Sequence, residues 1–186
     1  MTTLILSPNL CVAAPSTERP FSFLGRGDIV NIAMDLLFRD TYLAAIRGSL
    51  GSKIFQHSFA RIKNKKVDIL RGGDLSCAYF VTFILSAAGL IREIHATVDG
   101  AIRDLEYSGW TKVEKPVAGC VVVWEPAVQE RGEVHKHIGF YMGAGKAISN
   151  SSKKKVPAEH HVTFGVKRGK PARNIIATYW HPRLGK

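Results

Sequence analysis

The stretch GGDLSCAYFVTFIL, residues 72–85, joins a glycine turn to a long apolar segment. The apolar side chains recur all round a helical wheel, which predicts a buried helix over 75–88. Asp74 is expected to cap this helix and Gly89 to end it. Cys77 then lies in the first helical turn, either as a small buried hydrophobic residue or as a nucleophile.

The pattern on both sides of this helix predicts an α+β fold. Apolar residues at helical spacing predict helices over 28–47 and 97–108, the latter with Thr97 as its cap. Residues 53–70 alternate loosely and predict one or two strands with a basic turn. Short strands are then predicted at 120–125, 135–142, 146–151, 160–166 and 174–180. Helices followed by a run of short strands are typical of an α+β domain.

The chain has 186 residues, which suits one domain of ordinary size. We expect a single domain over 27–186 behind an N-terminal arm, residues 1–26. The arm lacks the basic start of a signal peptide, and Pro8 and Asn9 interrupt its apolar stretch, so the route of export stays open. No apolar run reaches the ~20 residues that span a bilayer.

The chain carries a formal net charge of +11. Its basic residues cluster in three segments: RIKNKK (61–66), SSKKK (151–155) and VKRGKPAR (166–173). Such a surface suits an anionic partner such as nucleic acid, phospholipid or an anionic cell-wall polymer. It is equally what a solvated surface that keeps the chain soluble looks like.

The three cysteines, Cys11, Cys77 and Cys120, do not have the paired spacing of a disulfide framework. Only Cys77 falls at a predicted helix start. Backbone N–H groups there favour an anion, which predicts a lowered pKa for the Cys77 thiol. The backbone N–H of Cys77 is also placed to hold an oxyanion during acyl transfer.

A base for such a nucleophile lies in the stretch HKHIGFYMG. His137 and Gly139 share one face of the predicted strand, and glycine has no side chain to block access to the imidazole. If Ala144 and Gly145 form a two-residue hairpin loop, Asn150 comes onto the face of His137 and can orient its ring. A one-residue shift of the hairpin brings Ser149 there instead.

Other roles for the histidines remain open. His160 or His161, on the next predicted strand, is an alternative third member of a catalytic triad. A metal site could also be built from His135, His137, His160, His161 and a cysteine, although this spacing matches no zinc motif.

The order of these motifs resembles the NlpC/P60 family of papain-like cysteine peptidases. Cys77 opens an apolar helix, KPVAGCVVVW enters a valine-rich strand, and HIGFYMGAGKAIS forms a hairpin, so the resemblance covers roughly 70–152. It implies a papain-like fold, with helices packed on a small antiparallel sheet or half-barrel of about five strands. The chain departs from the family pattern at Ser76, where relatives tend to carry aspartate, and at Ser149, where they often carry the third catalytic histidine.

The resemblance implies a cysteine peptidase or amidase that cleaves amide bonds, with peptides of bacterial peptidoglycan as the expected substrate. Cys77 is the expected nucleophile, His137 the base and Asn150 the orienting residue, with Ser149 as the alternative. Such a hydrolase works as a monomer and needs neither a metal nor an organic cofactor. Two alternatives are a basic module that binds an anionic polymer or nucleic acid, and a papain-like acyltransferase.

Overall fold

The computed structural model describes residues 35–128 and 132–185. The chain divides into two units, Met1–Leu36 and Leu37–Lys186, and the elements below belong to the second. The predicted arm, residues 1–26, Cys11 and the first part of the predicted helix 28–47 lie outside the described residues.

The described part of the chain contains three α-helices: α1 (Phe38–Gly48), α2 (Cys77–Ala87) and α3 (Val98–Tyr107). Its strands are β1 (Phe59–Ile62), β2 (Lys65–Asp68), β3 (Thr111–Lys112), β4 (Val121–Val128), β5 (Val134–Gly143), β6 (Lys146–Ser151), β7 (Val156–His161), β8 (Val166–Lys167), β9 (Lys170–Pro171) and β10 (Ile175–Trp180). Short 3₁₀ turns lie at Lys53–Phe55, Arg71–Gly73 and Pro182–Gly185.

Six of these strands form one antiparallel sheet in the order β3-β10-β4-β5-β6-β7. The strands β1 and β2 form a separate hairpin, as do β8 and β9. The fold is α+β, as the sequence predicts, and the main sheet has six strands where about five were expected. Within the described ranges, no helix has both the length and the apolar character that crossing a bilayer requires.

The core lies between the helices and one face of this sheet. Phe80 and Leu85 of α2 are fully buried and share one apolar cluster with Val123 of β4 and with Ile138 and Phe140 of β5. Burying one such side chain stabilises a fold by about 1.5–3 kcal/mol. The helix is therefore held firmly against the centre of the sheet, and its first residue, Cys77, has a fixed position.

The helix predictions hold in part. α2 begins at Cys77, and its N-cap is Ser76, not the predicted Asp74. α3 matches its prediction, because the Thr97 side chain accepts a hydrogen bond from the Gly100 N–H at 3.2 Å. The prediction of one continuous helix over 28–47 is wrong, since residues 35–37 are not helical and α1 begins at Phe38.

The β5–β6 hairpin sets the register of the site. Ala144 and Gly145 form the predicted two-residue loop, both with positive φ, and Gly143 faces Lys146. One extra residue of β5, Met142, then bulges out between Gly143 and Tyr141, and Tyr141 pairs with Ala147. The shift continues along the hairpin and brings Ser149, not Asn150, opposite Gly139.

Candidate active site

Cys77 lies where the start of α2 meets β5. The backbone N–H groups of Ala78 and Ile138 lie near its sulfur and act to lower the pKa of the thiol. Because Ile138 directly follows His137 in β5, the strand that carries the predicted base passes beside the predicted nucleophile. The Cys77 side chain is partly exposed, whereas Cys120 is fully buried.

The pKa of the Cys77 thiol is raised, so the predicted lowering is wrong. Burial is the largest effect and raises the pKa, because the low-dielectric surroundings disfavour a thiolate. The N–H groups of Ala78 and Ile138 and the charge of Arg173 lower it, as expected for a helix start, but they do not compensate for burial. At neutral pH the resting group is a thiol.

His137 occupies the face of β5 that looks away from the helices. It pairs with Trp124 of β4, and the two rings lie 5.5 Å apart. A Cβ at Gly139 would come within 2.7 Å of the Ile148 carbonyl oxygen and 3.1 Å of the Trp124 ring, so only glycine fits beside the imidazole. Burial, followed by the positive charge of Arg173, lowers the pKa of His137 to about 3. The imidazole is therefore neutral at physiological pH.

A chain of three short hydrogen bonds runs from His137 across the sheet. Its Nε2 lies 2.8 Å from the Ser149 Oγ. That hydroxyl lies 2.8 Å from the Nε2 of His160 on β7, whose Nδ1 lies 2.8 Å from the His161 carbonyl oxygen. Ser149, the predicted alternative orienting residue, thus contacts the His137 ring. His160 contacts Ser149 from the other side.

The last acceptor in this series of hydrogen bonds, the His161 carbonyl oxygen, determines which atom donates and which accepts in each of the bonds before it. A carbonyl oxygen only accepts, so the His160 Nδ1 carries a hydrogen. Burial lowers the pKa of His160 and keeps its ring neutral, so its Nε2 is bare and accepts from the Ser149 hydroxyl. Ser149 must then accept from the His137 Nε2–H. The Nδ1 of neutral His137 is left without a proton, in the form that a general base requires.

Asn150 has a different contact from the one predicted. Its Nδ2 donates to the Gly73 carbonyl oxygen at 2.7 Å, in a buried position. The bulge in β5 is the reason, because it turns Asn150 to the helix side of the sheet and gives Ser149 the side of His137. Asn150 therefore fixes the loop that leads into Cys77, and the prediction that it contacts the His137 ring is wrong.

Aromatic rings form the wall of the site. Phe164 stacks on His160, with ring centroids 4.1 Å apart, and lies 5.7 Å from the His137 ring and 5.2 Å from the Trp124 ring. The Trp124 Nε1–H donates to the Val162 carbonyl oxygen at 2.6 Å, which fixes the indole. These rings restrict the imidazoles to one orientation and shield their hydrogen bonds from water.

Sequence reasoning missed Trp124, Phe164 and Arg173. Trp124 had a usable signal, since it directly follows the three valines that begin β4, and β4 pairs with β5. Phe164 follows β7 with a φ of +58°, and this turn, which carries the ring onto His160, has no local signal. In the sequence, Arg173 was recognised only as the last residue of the basic segment 166–173.

The histidines do not assemble the metal site considered from the sequence. Within residues 35–128 and 132–185, no group of three or more His, Cys, Asp or Glu side chains is arranged to hold a metal ion. His135 is exposed and lies 3.2 Å from a Glu133 oxygen. The His161 side chain pairs with the Thr163 hydroxyl at 2.9 Å and takes no part in the chain of hydrogen bonds from His137.

The basic segments lie at the surface. Arg61, Lys63, Lys65 and Lys66 are all exposed on the β1–β2 hairpin. The second segment, 153–155, is also exposed and follows β6. The Gln56 amide contacts the Lys155 carbonyl oxygen at 3.2 Å, which ties this turn to the chain just before the hairpin.

Comparison with known proteins adds no assignment. No protein-family model matches the chain, and no curated protein matches it either.

Proposed function

We propose that the chain is a papain-like cysteine hydrolase that cleaves amide bonds through an acyl-enzyme. The observation that carries this proposal is the chain of hydrogen bonds from His137 through Ser149 and His160, called the relay below, which leaves the Nδ1 of His137 free to accept a proton. A strand histidine with a merely structural role does not need a fixed tautomer on the strand that passes a cysteine at a helix start.

In the proposed reaction the Cys77 sulfur attacks the amide carbonyl carbon while its proton passes to the His137 Nδ1. Backbone N–H groups at the start of α2 stabilise the oxyanion of the tetrahedral intermediate. The carbon–nitrogen bond then breaks, and His137 gives the proton to the leaving amine. A water molecule, deprotonated by His137, attacks the thioester, and the carboxylic acid and the Cys77 thiol are released.

The relay keeps His137 effective during both proton transfers. When the ring becomes positively charged, its Nε2–H still donates to Ser149, and the Ser149 hydroxyl still donates to His160. The imidazole therefore keeps one orientation whether it holds the proton or not. In this proposal Ser149 is the third member of the catalytic triad. His160 is a positioning residue that acts through its hydrogen bond with Ser149.

The substrate class is proposed from the resemblance of residues 70–152 to the NlpC/P60 peptidases. Peptides of bacterial peptidoglycan are the first candidates. The exposed lysines and arginines are compatible with this choice, because a positive surface raises the rate of association with an anionic cell-wall polymer. The test is to incubate the protein with purified cell-wall fragments and to identify new amine and carboxylate ends by mass spectrometry. Intact fragments after prolonged incubation would contradict this substrate class.

The relay makes a prediction for Ser149. In Ser149→Ala, we expect kcat to fall by about fivefold with KM unchanged, since one hydrogen bond contributes about 1 kcal/mol and about 1.36 kcal/mol is a factor of ten. Long-range ¹H–¹⁵N spectra of the imidazole rings should show His137 only as the Nε2–H tautomer in the wild type and as a mixture in the variant.

His160→Phe should have the same effect, because it removes the acceptor of the Ser149 hydroxyl. The matched control is His161→Phe, which keeps the carbonyl that His160 contacts and should leave kcat and the His137 spectrum unchanged. If His137 is a tautomeric mixture already in the wild type, the relay does not set its proton.

The pKa shifts predict how Cys77 reacts with a neutral alkylating reagent. The pKa of the thiol is raised by burial, so the thiolate fraction at pH 6.5 is smaller than that of an ordinary cysteine. His137, with a pKa of about 3, is neutral at that pH and supplies no positive charge to a resting thiolate. Iodoacetamide should therefore label Cys77 at pH 6.5 more slowly than it labels N-acetylcysteine, with a rate that climbs as the pH is raised. Faster labelling than N-acetylcysteine would indicate a resting ion pair instead.

A further inference from the structure

Arg173 lies at the site with its guanidinium held in place by backbone groups. Its Nε donates to the Glu125 carbonyl oxygen at 2.8 Å, and its Nη2 donates to the His135 carbonyl oxygen at 2.7 Å. Its Cζ lies 5.8 Å from the centre of the Phe164 ring. These contacts use two of the five N–H donors of the guanidinium and fix its plane, so three donors remain for another group.

This guanidinium is close enough to the reactive pair to act on both members. Phe164, which it approaches, is also the ring beside His137. The positive charge of Arg173 lowers the pKa of Cys77 against the larger effect of burial, and it adds to burial in lowering the pKa of His137. Arg173 therefore contributes a positive potential at both Cys77 and His137.

The charge of Arg173 has no close counter-ion in the described part of the chain. Among residues 35–128 and 132–185, no carboxylate oxygen forms an ion pair with it within 4 Å. The Glu125 carboxylate attracts Arg173 from a longer distance, while its oxygens accept from the backbone N–H and the side-chain amide of Asn174 at 2.8–3.1 Å. Burial outweighs this attraction and lowers the pKa of Arg173, so the partly buried cation still carries a cost that a bound anion offsets.

We propose that Arg173 is a specificity residue that binds a carboxylate of the substrate next to the scissile amide. This deepens the proposed function and rests on it. The planar guanidinium suits a carboxylate, which it holds through two parallel N–H···O bonds. The substrate class is accordingly a peptide amide with a free carboxylate close to the bond that is cleaved, rather than a neutral or a cationic peptide.

Two small alkylating reagents test the carboxylate site without any substrate. Iodoacetate carries a carboxylate and iodoacetamide does not, while both alkylate the same thiolate. The ratio of their rates at Cys77, read by peptide mass mapping at pH 8.5, therefore cancels the thiolate fraction. We expect this ratio to exceed that of N-acetylcysteine by about tenfold or more, the range for a hydrogen bond to a charged group.

Arg173→Gln should return the ratio to that of N-acetylcysteine, and Arg173→Lys should keep part of the excess. The control is Arg183→Gln, since Arg183 also donates to a backbone carbonyl, that of Gly89 at 2.8 Å, but lies outside the site. In the wild type, about 0.5 M NaCl should reduce the ratio, because salt screens the attraction between Arg173 and the carboxylate. This measurement does not depend on the folding of any variant. A ratio equal to that of N-acetylcysteine, an unchanged ratio in Arg173→Gln, or no labelling by either reagent would overturn the proposal.

Matched peptides separate this proposal from the hydrolase itself. Wild-type protein should cleave a stem peptide with a free carboxylate beside the scissile amide at least about tenfold faster, in kcat/KM, than the same peptide with a carboxamide there. Equal cleavage of both peptides would refute the role of Arg173 and leave the hydrolase standing. Cleavage of neither peptide, together with an Arg173-dependent alkylation ratio, would refute the hydrolase and leave the carboxylate site standing.

Discussion

Cys77→Ala should abolish amide hydrolysis while the protein stays folded. Loss of the nucleophile removes the acyl-enzyme route, and we expect kcat to fall by roughly 10⁴-fold or more, as when a catalytic triad loses its nucleophile. The fold should tolerate the change, because Cys77 is partly exposed and alanine suits the start of a helix. Turnover of a cell-wall peptide, measured beside a thermal unfolding curve, checks both parts.

Cys120 is the matched control for this experiment. It is fully buried at the entrance to β4, where the Val117 N–H lies 3.4 Å from its sulfur. Cys120→Ala should keep hydrolysis and lose some stability, because a buried side chain is shortened. Equal loss of turnover in both variants would mean that disturbed packing, and not a missing nucleophile, explains the Cys77 result.

His137→Gln should lower kcat by about 10²–10⁴-fold, the contribution of general acid–base catalysis. Glutamine can still donate a hydrogen bond to Ser149, but it cannot take a proton from Cys77. The low pKa of His137, about 3, adds a second expectation. Because the base is neutral well below pH 6, wild-type kcat should stay nearly level as the pH falls from 7 to 5.

His135 on the same strand supplies the comparison. It is exposed, pairs with Glu133 and takes no part in the relay, so His135→Gln should retain wild-type turnover. A wild-type activity that declines with a midpoint near pH 6.5 would contradict a His137 held neutral by burial. An active His137→Gln variant would exclude this histidine as the base.

The positions of Cys77 and His137 could be predicted because each depends on local pattern. A glycine turn followed by an apolar helix places Cys77 at a helix start. Strand alternation places His137 beside Gly139, and the tight turn at Ala144 and Gly145 closes the hairpin. Each of these features comes from a few neighbouring residues, which is the range over which sequence patterns are informative.

The choice between Asn150 and Ser149 depended on a bulge. A single extra residue in β5 exchanges the two faces of β6, and no turn residue in the loop itself signals it. The fourth predicted strand failed for a related reason. It was expected at 160–166, but β7 covers Val156–His161, because an edge strand tolerates Pro157 and polar side chains while it pairs with β6.

The remaining parts of the site come from distant segments. Arg173 follows β9 and contacts backbone carbonyls of β5 and β4, which lie 38 and 48 residues earlier in the chain, respectively. The sequence offered His160 as a possible third member of a catalytic triad. In the structure its Nε2 lies 2.8 Å from the Ser149 hydroxyl. Such contacts depend on how strands are ordered in the sheet, which short-range periodicity does not determine.

The most direct test of the central claim is the mass of the intact protein during turnover. The wild type is mixed with a cell-wall peptide, quenched in acid within seconds, and analysed by mass spectrometry with peptide mapping. We expect a fraction of the protein to carry the acyl part of the substrate as a thioester on Cys77, and Ser149→Ala, in which proton transfer is slowed, to carry it too. Hydrolysis without any adduct on Cys77, or an adduct that persists in Cys77→Ala, would contradict a reaction through this cysteine.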